Sequence, residues 1–327
     1  MIKIILIVLF VLILVILGFF FVGSSPIQEK QTFGVNFSQK HAQSLGLDWK
    51  ETYTALVEDL GVKDIKIASY WDLIELEDGK YDFRDLDWQL EVAEGKGVNV
   101  MLVLGMRTPR WPECHLPEWA KGLDKGKQQE EILELIREII LRYKDFDAIS
   151  IWQVENEPFF PFGECVWSDP EFLKKEVALV KSLDPKTRPV LISDSGEGSF
   201  WFRASSIGDV VGTTMYRKVW VWQLKTYVTY PLLPVFYWRK AQIIDKLFNK
   251  EVICVELQAE PWGPELLYTS PLSEQEKTMN LERFQNIVSF AKKTGLKKFY
   301  LWGAEWWYWM KEINGQGDIW EEAGKLF

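Results

Sequence analysis

Two glutamates draw attention through the residues that precede them. Glu157 follows the apolar run Ile149-Ser150-Ile151-Trp152-Gln153-Val154 in the string Glu155-Asn156-Glu157-Pro158, and Glu256 closes the run Val252-Ile253-Cys254-Val255. Two carboxyl groups at the ends of separate strands are what glycosidic-bond cleavage needs. One stays protonated to assist the departing oxygen, and the other stays ionised to attack the anomeric carbon. Partial burial and a neighbouring negative charge raise the pKa of the acid, whereas hydrogen-bond donors lower that of the nucleophile. After a glycosyl-enzyme forms, Glu157 turns general base and activates water. A lone glutamate at a strand end is usually a solvated loop residue, so the reading rests on both acids reaching one face of the fold.

Other side chains compete for roles. Glu260 follows in Glu256-Leu257-Gln258-Ala259-Glu260-Pro261-Trp262. Glu256 is preferred as nucleophile because it directly ends the apolar run, while Glu260 lies out in the loop, where it would bind a hydroxyl. Glu305, just past Trp302, reads either as a sugar-hydroxyl ligand or as a loop charge. Glu155 alternates to the layer below Glu157, where it serves a structural hydrogen bond. His41 and His115 are the only histidines, too few for a multi-histidine metal site or a choice of Ser-His-Asp arrangements. His41 is a substrate contact or a surface residue. Cys114, Cys165 and Cys254 form no zinc-ribbon pattern, and neither a metal nor a cofactor is expected. Cys114 and Cys165 follow the third and fourth strands and would pair if exported, whereas Cys254 falls within an apolar strand as a core thiol.

The elements that must carry these residues recur regularly. Short apolar or β-branched runs at Phe33 to Phe37, Asp64 to Ser69, Asn99 to Leu104, Ala148 to Val154, Pro189 to Ser193, Val210 to Met215, Glu251 to Glu256 and Lys298 to Trp302 alternate with helical stretches. Apolar positions repeat at three and four in Ile132, Leu133, Leu135, Ile136, Ile139 and Ile140, and in Phe284, Ile287, Val288, Phe290 and Ala291. Gly61, Gly97 and Gly295 fall where helix C-caps belong. This pattern predicts a closed (β/α)8 barrel, an α/β fold of the TIM type, with a doubly wound open sheet as the alternative. The open nucleotide-binding sheet would want a glycine-rich turn after its first strand, and Ser38-Gln39-Lys40-His41 is not one. In a barrel the chemistry collects at the C-terminal ends of the strands.

Composition narrows the function further. A net charge of −9 with scattered Lys and Arg offers no basic face for nucleic acid. The 17 tryptophans suit either a cleft whose indoles stack on sugar rings or a tryptophan-rich core. Residues Ile4 to Val22 are uninterrupted by charge and long enough to cross a hydrocarbon layer, so residues 1–23 are expected to be a retained membrane anchor. A cleaved export signal is the other reading. Residues 24–31 form a polar linker, and 32–327 form the catalytic barrel. Lys3 would hold the amino terminus in the cytoplasm and the single-pass chain's barrel outside, although Lys30 flanks the span on the other side. The apolar, aromatic stretch from Val219 to Lys240 either packs over the barrel as a bulky lid and helix or rests against the bilayer.

The residues taken together resemble clan A of the glycoside hydrolases, the superfamily that includes the family 5 cellulases and the family 42 β-galactosidases. The resemblance rests on Asn156-Glu157 after the fourth strand and Glu256 after the seventh. It also rests on Tyr70-Trp71-Asp72-Leu73-Ile74-Glu75 followed by Gly79-Lys80-Tyr81-Asp82-Phe83, similar to the clan's W-x-x-I-E-x-x-x-G-x-Y-D-F run. It covers the chain beyond the linker. What it implies is retention of anomeric configuration, Asn156 on the sugar 2-hydroxyl, Tyr216 beside the nucleophile, Trp302 as the floor of the cleaved sugar, and Trp71 among the substrate-binding candidates. Two positions depart from family 5: Lys66 stands where an Arg is usual, and Gly105-Met106-Arg107 ends the third strand where a His is common. The family within the clan stays open. The function expected is a retaining β-glycosidase acting on an oligo- or polysaccharide; a silent carbohydrate-binding barrel and a transglycosylase are the alternatives. Sugar, linkage and mode of attack depend on loop shape, and oligomeric state is not written in these patterns.

Overall fold

The computed structural model describes residues 1–165 and 167–327. Strands β1 (Thr32–Asn36), β2 (Asp64–Ala68), β3 (Asn99–Leu104), β4 (Ile149–Val154), β5 (Val190–Asp194) and β6 (Val210–Met215) follow one another with helices between. A hairpin, β7 (Lys218–Val221) and β8 (Thr226–Thr229), interrupts the series before β9 (Val252–Gln258) and β10 (Lys298–Trp302) complete it. The eight parallel strands close in the order β1-β10-β9-β6-β5-β4-β3-β2. The expected barrel is therefore the fold, its strands displaced by at most a residue or two from the apolar runs.

One displacement matters for the site. Strand β9 does not end at Glu256 but continues to Gln258, because Leu257 and Gln258 still pair with Leu301 and Trp302 of β10. Glu256 is thus an interior strand residue, and a register shift on the β6 side sets it opposite Thr214. Held between two neighbours, its backbone is more rigid than a loop's would be.

Packing follows the usual division of a barrel. Met101, Leu191, Ile253, Val255 and Tyr300 fill the interior, and the outward faces of the strands pack under the helices in one continuous core. Helix starts are held by side chains that accept orphan backbone N–H groups: Asp48 from Lys50 and Glu51, Asp169 from Glu171 and Phe172, and Asn280 from Arg283. Gly97 lies at φ 63° just after the helix Arg84–Gly95, the left-handed turn for which glycine suits a helix end. Cys114 and Cys165 form a disulfide with Cα atoms 5.1 Å apart, while Cys254 is a buried free thiol.

The aromatic stretch after β6 resolves into the hairpin and the helix Pro234–Phe248. Trp220 packs edge-on against Tyr227 across the hairpin, and the helix packs on the barrel wall through Tyr237 and Ile244.

The apolar helix Ile2–Phe21 stands out from the barrel, and its Lys3–Phe21 portion is long and apolar enough to cross a membrane. Its last turn touches the rest: Phe20 packs on Phe200 and Phe236, and Phe21 stacks on Phe236. Beyond it the chain is pinned to the N-terminal end of the barrel, Ser25 donating to the Lys293 carbonyl and Gln31 to those of Lys292 and Leu296 at 3.1 and 3.0 Å.

Candidate active site

The exit of β4 turns sharply. Glu155 and Glu157 both adopt positive φ, 58° and 44°, conformations that cost a non-glycine residue roughly 1–2 kcal/mol each. The turn persists because its polar groups are fully engaged. The Glu155 carboxylate accepts from the backbone N–H of Met106 and Arg107 at 3.0 and 2.6 Å. The Asn156 N–H donates to the Arg107 carbonyl, and that of Glu157 to Ser193 Oγ at 2.9 Å. Glu155 is a structural group, and the strain it helps to hold aims Asn156 and Glu157 inward.

The same bonds explain Gly105, which has φ 103°: a Cβ there would lie 2.3 Å from Glu155 Oε1. Position 196 is tighter still. The Gly196 N–H donates to Thr214 Oγ1 at 3.0 Å, and a Cβ on that residue would lie 1.8 Å from the Thr214 carbonyl oxygen.

Glu256 meets the β4 group from across the barrel. Its Oε2 accepts from the Tyr216 hydroxyl at 2.9 Å, and its Oε1 lies 3.2 Å from Lys66 Nζ. Lys66 also reaches Asn156 Oδ1 at 3.4 Å, so one buried ammonium connects the two strands' polar residues. Thr214, register partner of Glu256, donates to Glu157 Oε1 at 3.4 Å. Burial, and after it the negative charge of Glu256 with that of Glu113, Glu197 and Asp194, pushes the Glu157 carboxyl well above the usual carboxylate range. Burial also raises the Tyr216 hydroxyl, and the charge of Glu256 adds to it, so the phenol stays a hydrogen-bond donor.

Three of these participants were not singled out as site residues from sequence. Glu113 accepts from Asn156 Nδ2 at 3.2 Å, and burial together with the Glu256 charge pushes its carboxyl up to about 8. Glu197 accepts from the Tyr216 N–H and the Tyr237 hydroxyl at 2.7 and 2.9 Å. Lys66, noted only as a departure from a family pattern, is the counter-charge of Glu256. Glu113 and Glu197 come from loops with no periodic signal; the one available hint was Cys114, whose disulfide neighbourhood marks an ordered loop.

A second cluster lies beside the first. Glu260 Oε1 accepts from Arg110 and from Trp302 Nε1, the latter at 2.8 Å, and His41 Nε2 lies 3.3 Å from Oε2. Against the opposing effect of burial, Arg110 and His41 hold the Glu260 carboxyl down at about 2. Arg110 also donates to Glu305 at 3.1 Å, and its guanidinium sits 4.1 Å over the Trp302 ring. Glu260 is therefore already committed to a guanidinium and an indole with an imidazole beside it, while Glu256 has one ammonium and one hydroxyl.

Asn156, Glu157, Tyr216 and Glu256 are thus gathered in one buried group, with Trp302, Glu260 and Glu305 adjoining it. Trp71 is not brought there. Its indole is fully buried, donates to Glu75 Oε2 at 2.7 Å and packs edge-on against Trp119. Glu75 in turn accepts from the Gly79 N–H at 2.9 Å, so the W-x-x-I-E-x-x-x-G string closes a loop and leaves no indole face for a ligand.

Comparison with known proteins agrees with this architecture. The sequence model of glycoside hydrolase family 42, described as "Beta-galactosidase", matches residues 42–172. A β-galactosidase of Arthrobacter sp. is 29% identical over a segment covering 31% of this chain and 17% of the relative. The fold aligns with a cold-adapted β-galactosidase from Rahnella sp. R3 at a TM-score of 0.59 and 12% identity, covering 93% of this chain and 57% of that one. It aligns with xylanase 10B from Thermotoga maritima at 0.58 and 16%, covering 90% and 95%. The chain therefore spans a small part of its sequence relative and little more than half of the β-galactosidase whose barrel it shares. In sequence over residues 42–172, and in fold over nearly all of its length, this chain resembles the clan A glycoside hydrolases.

Proposed function

We propose that the chain is a retaining β-glycosidase, with Glu157 as acid/base and Glu256 as nucleophile. The observation that carries the reading is the pair of environments. Glu157 is held protonated by burial beside other carboxylates, while Glu256 faces the Lys66 ammonium and the Tyr216 hydroxyl. In the first step Glu157 protonates the departing glycosidic oxygen as a Glu256 oxygen bonds to the anomeric carbon. In the second, Glu157 takes a proton from water, which attacks that carbon and releases Glu256. Asn156, oriented by Lys66 and Glu113, is assigned to the 2-hydroxyl, and Trp302 to the floor of the cleaved sugar. Glu260 and Glu305, presented on Arg110, are assigned to other hydroxyls.

The likeness to proteins named β-galactosidase and xylanase supports a β-linked oligo- or polysaccharide as substrate. Residues 1–23 are assigned to a retained single-pass anchor, 24–31 to a short linker and 32–327 to the catalytic barrel outside the cytoplasm. Packing of Phe20 and Phe21 on Phe236 supports retention, since a leader destined for removal has no need of a seat on the folded barrel. The test is a panel of aryl β-galactosides, β-xylosides and β-glucosides given to the full chain in lipid nanodiscs, with product anomers followed by NMR. Release of the β-anomer first is the expected result; release of the α-anomer, or no turnover on any member, overturns the assignment.

A further inference from the structure

The large apolar side chains that the barrel leaves exposed are unevenly placed. Among the described residues from β1 onward, all except Leu141, Phe202, Leu247 and Ile313 lie on the loops that leave the C-terminal ends of the strands, and Phe202 opens the short helix Phe202–Ile207 that follows the β5 loop. This is the face on which Glu157 and Glu256 open. The densest part follows β5 and β6: Phe200 and Phe202, stacked 6.2 Å apart and 50% and 44% exposed, Trp222 and Leu224 at the hairpin tip, and Leu233 before the next helix. Some exposed aromatics in a carbohydrate cleft serve as sugar platforms. Leucines do not, and a Phe pair outside the carboxylate cluster has no sugar to stack on.

The apolar helix Ile2–Phe21 ends at this same place. Phe20 packs on Phe200 at 5.7 Å and on Phe236 at 5.6 Å, so the candidate membrane span joins the flank of the barrel beside the segments that follow β5 and β6, before residues 25–31 run on to its N-terminal end. Arg203 and Lys225 are exposed beside the apolar residues, and Arg239 lies 5.0 Å from the Phe19 ring. Aromatic and leucine side chains interleaved with cations, continuous with a spanning helix, match the layer between lipid headgroups and acyl chains.

We propose that the β5–β6 side of this rim rests in the bilayer surface, so that the mouth of the barrel faces the headgroup layer and takes sugars carried on membrane lipids. The substrate class rests on the glycosidase reading above; the docking of the rim does not.

Two measurements on the full chain in phosphatidylcholine–phosphatidylglycerol vesicles separate these. Single variants Phe202→Cys, Leu224→Cys and, at the opposite end of the barrel, Leu141→Cys are labelled with a nitrobenzoxadiazole maleimide; the native cysteines are bonded or buried. Nitroxide-bearing lipid is expected to quench the label strongly at 202 and 224 and weakly at 141. Quenching at 202 and 224 no greater than at 141 overturns the docking. The double variant Phe202→Glu/Leu224→Glu is then compared with the native chain on one sugar presented two ways, as an aryl β-glycoside in solution and on a dialkylglycerol in the vesicle. Turnover of the lipid-borne form is expected to fall about tenfold, the soluble form being unaffected. Equal turnover of the lipid-borne form by both proteins overturns the proposed substrate class, and failure on every aryl glycoside overturns the enzymatic reading while the quenching pattern still decides the rim.

Discussion

Lys66 Nζ lies 3.2 Å from Glu256 Oε1 and 3.4 Å from Asn156 Oδ1, with all three side chains buried. Removing one partner of a buried ion pair leaves the other uncompensated, a change typically worth about 3–5 kcal/mol. Lys66→Met is expected to lower kcat by at least about 100-fold, since Glu256 then lacks the cation that faces it. A lower thermal midpoint with unaltered kcat would show that Lys66 serves folding alone.

The two acids should respond differently to rescue. Glu157→Gln is expected to lower kcat by roughly 10²- to 10⁴-fold on poor leaving groups and far less on a dinitrophenyl glycoside, which needs no protonation. Its alkaline limb should disappear, because the carboxyl whose raised pKa sets it is gone. Azide should restore turnover to Glu256→Gly, yielding the α-azide, and should leave Glu260→Gly unchanged. Rescue of Glu260→Gly instead would transfer the nucleophile's role to that residue.

Stability should decline across the neutral range. The Glu113 carboxyl is raised from an ordinary value near 4.5 to about 8, so the folded state binds this proton more tightly than the unfolded chain does. Its contribution is complete below about 4.5 and is lost as pH rises toward about 8. Glu155, pushed up to about 7 mainly by burial, acts in the same sense. The thermal midpoint is expected to fall over this window, and Glu113→Gln to flatten part of the fall. A midpoint equally steep in the variant would contradict the assignment of that proton.

The disulfide joins the loop after β3 to the loop after β4 across a sequence separation of 51. Chain-entropy arguments assign such a closure about 4 kcal/mol, which for a chain of this size amounts to a loss of roughly 5–10 °C in the midpoint for Cys114→Ser/Cys165→Ser. Because Glu113 and its contact with Asn156 sit beside Cys114, kcat should drop as well. A lower midpoint with unaltered kcat would mean that the bond holds only the loops.

Much of this arrangement was legible from sequence wherever a periodic signal existed. The eight apolar runs mark the barrel because inward and outward faces are both buried, which leaves each strand nearly continuous in hydrophobicity. Glu157 was marked by its Asn and Pro neighbours, and Glu256 by the run before it. That run understated β9, whose pairing with β10 continues through Gln258, a residue whose amide also accepts from the Arg217 and Lys218 N–H groups at 2.8 and 3.0 Å. Trp71 looked available for a ligand because a motif names residue types and not the partners that use them up; Glu75 takes its N–H. Glu113 and Glu197 were hidden in loops, where only tertiary placement distinguishes a buried carboxyl from a solvated one. The hairpin was hidden for another reason: its aromatics blend into the apolar helix that follows.

The contact between Gly196 and Thr214 limits how this protein can be altered. One added methyl at 196 would strike the main chain of β6, and the neighbouring hydroxyl of Thr214 is the group that reaches toward Glu157. The wall behind the acids therefore has no tolerance for bulk, and new preferences for one sugar over another must be written in the surrounding loops, whose tips have room to change.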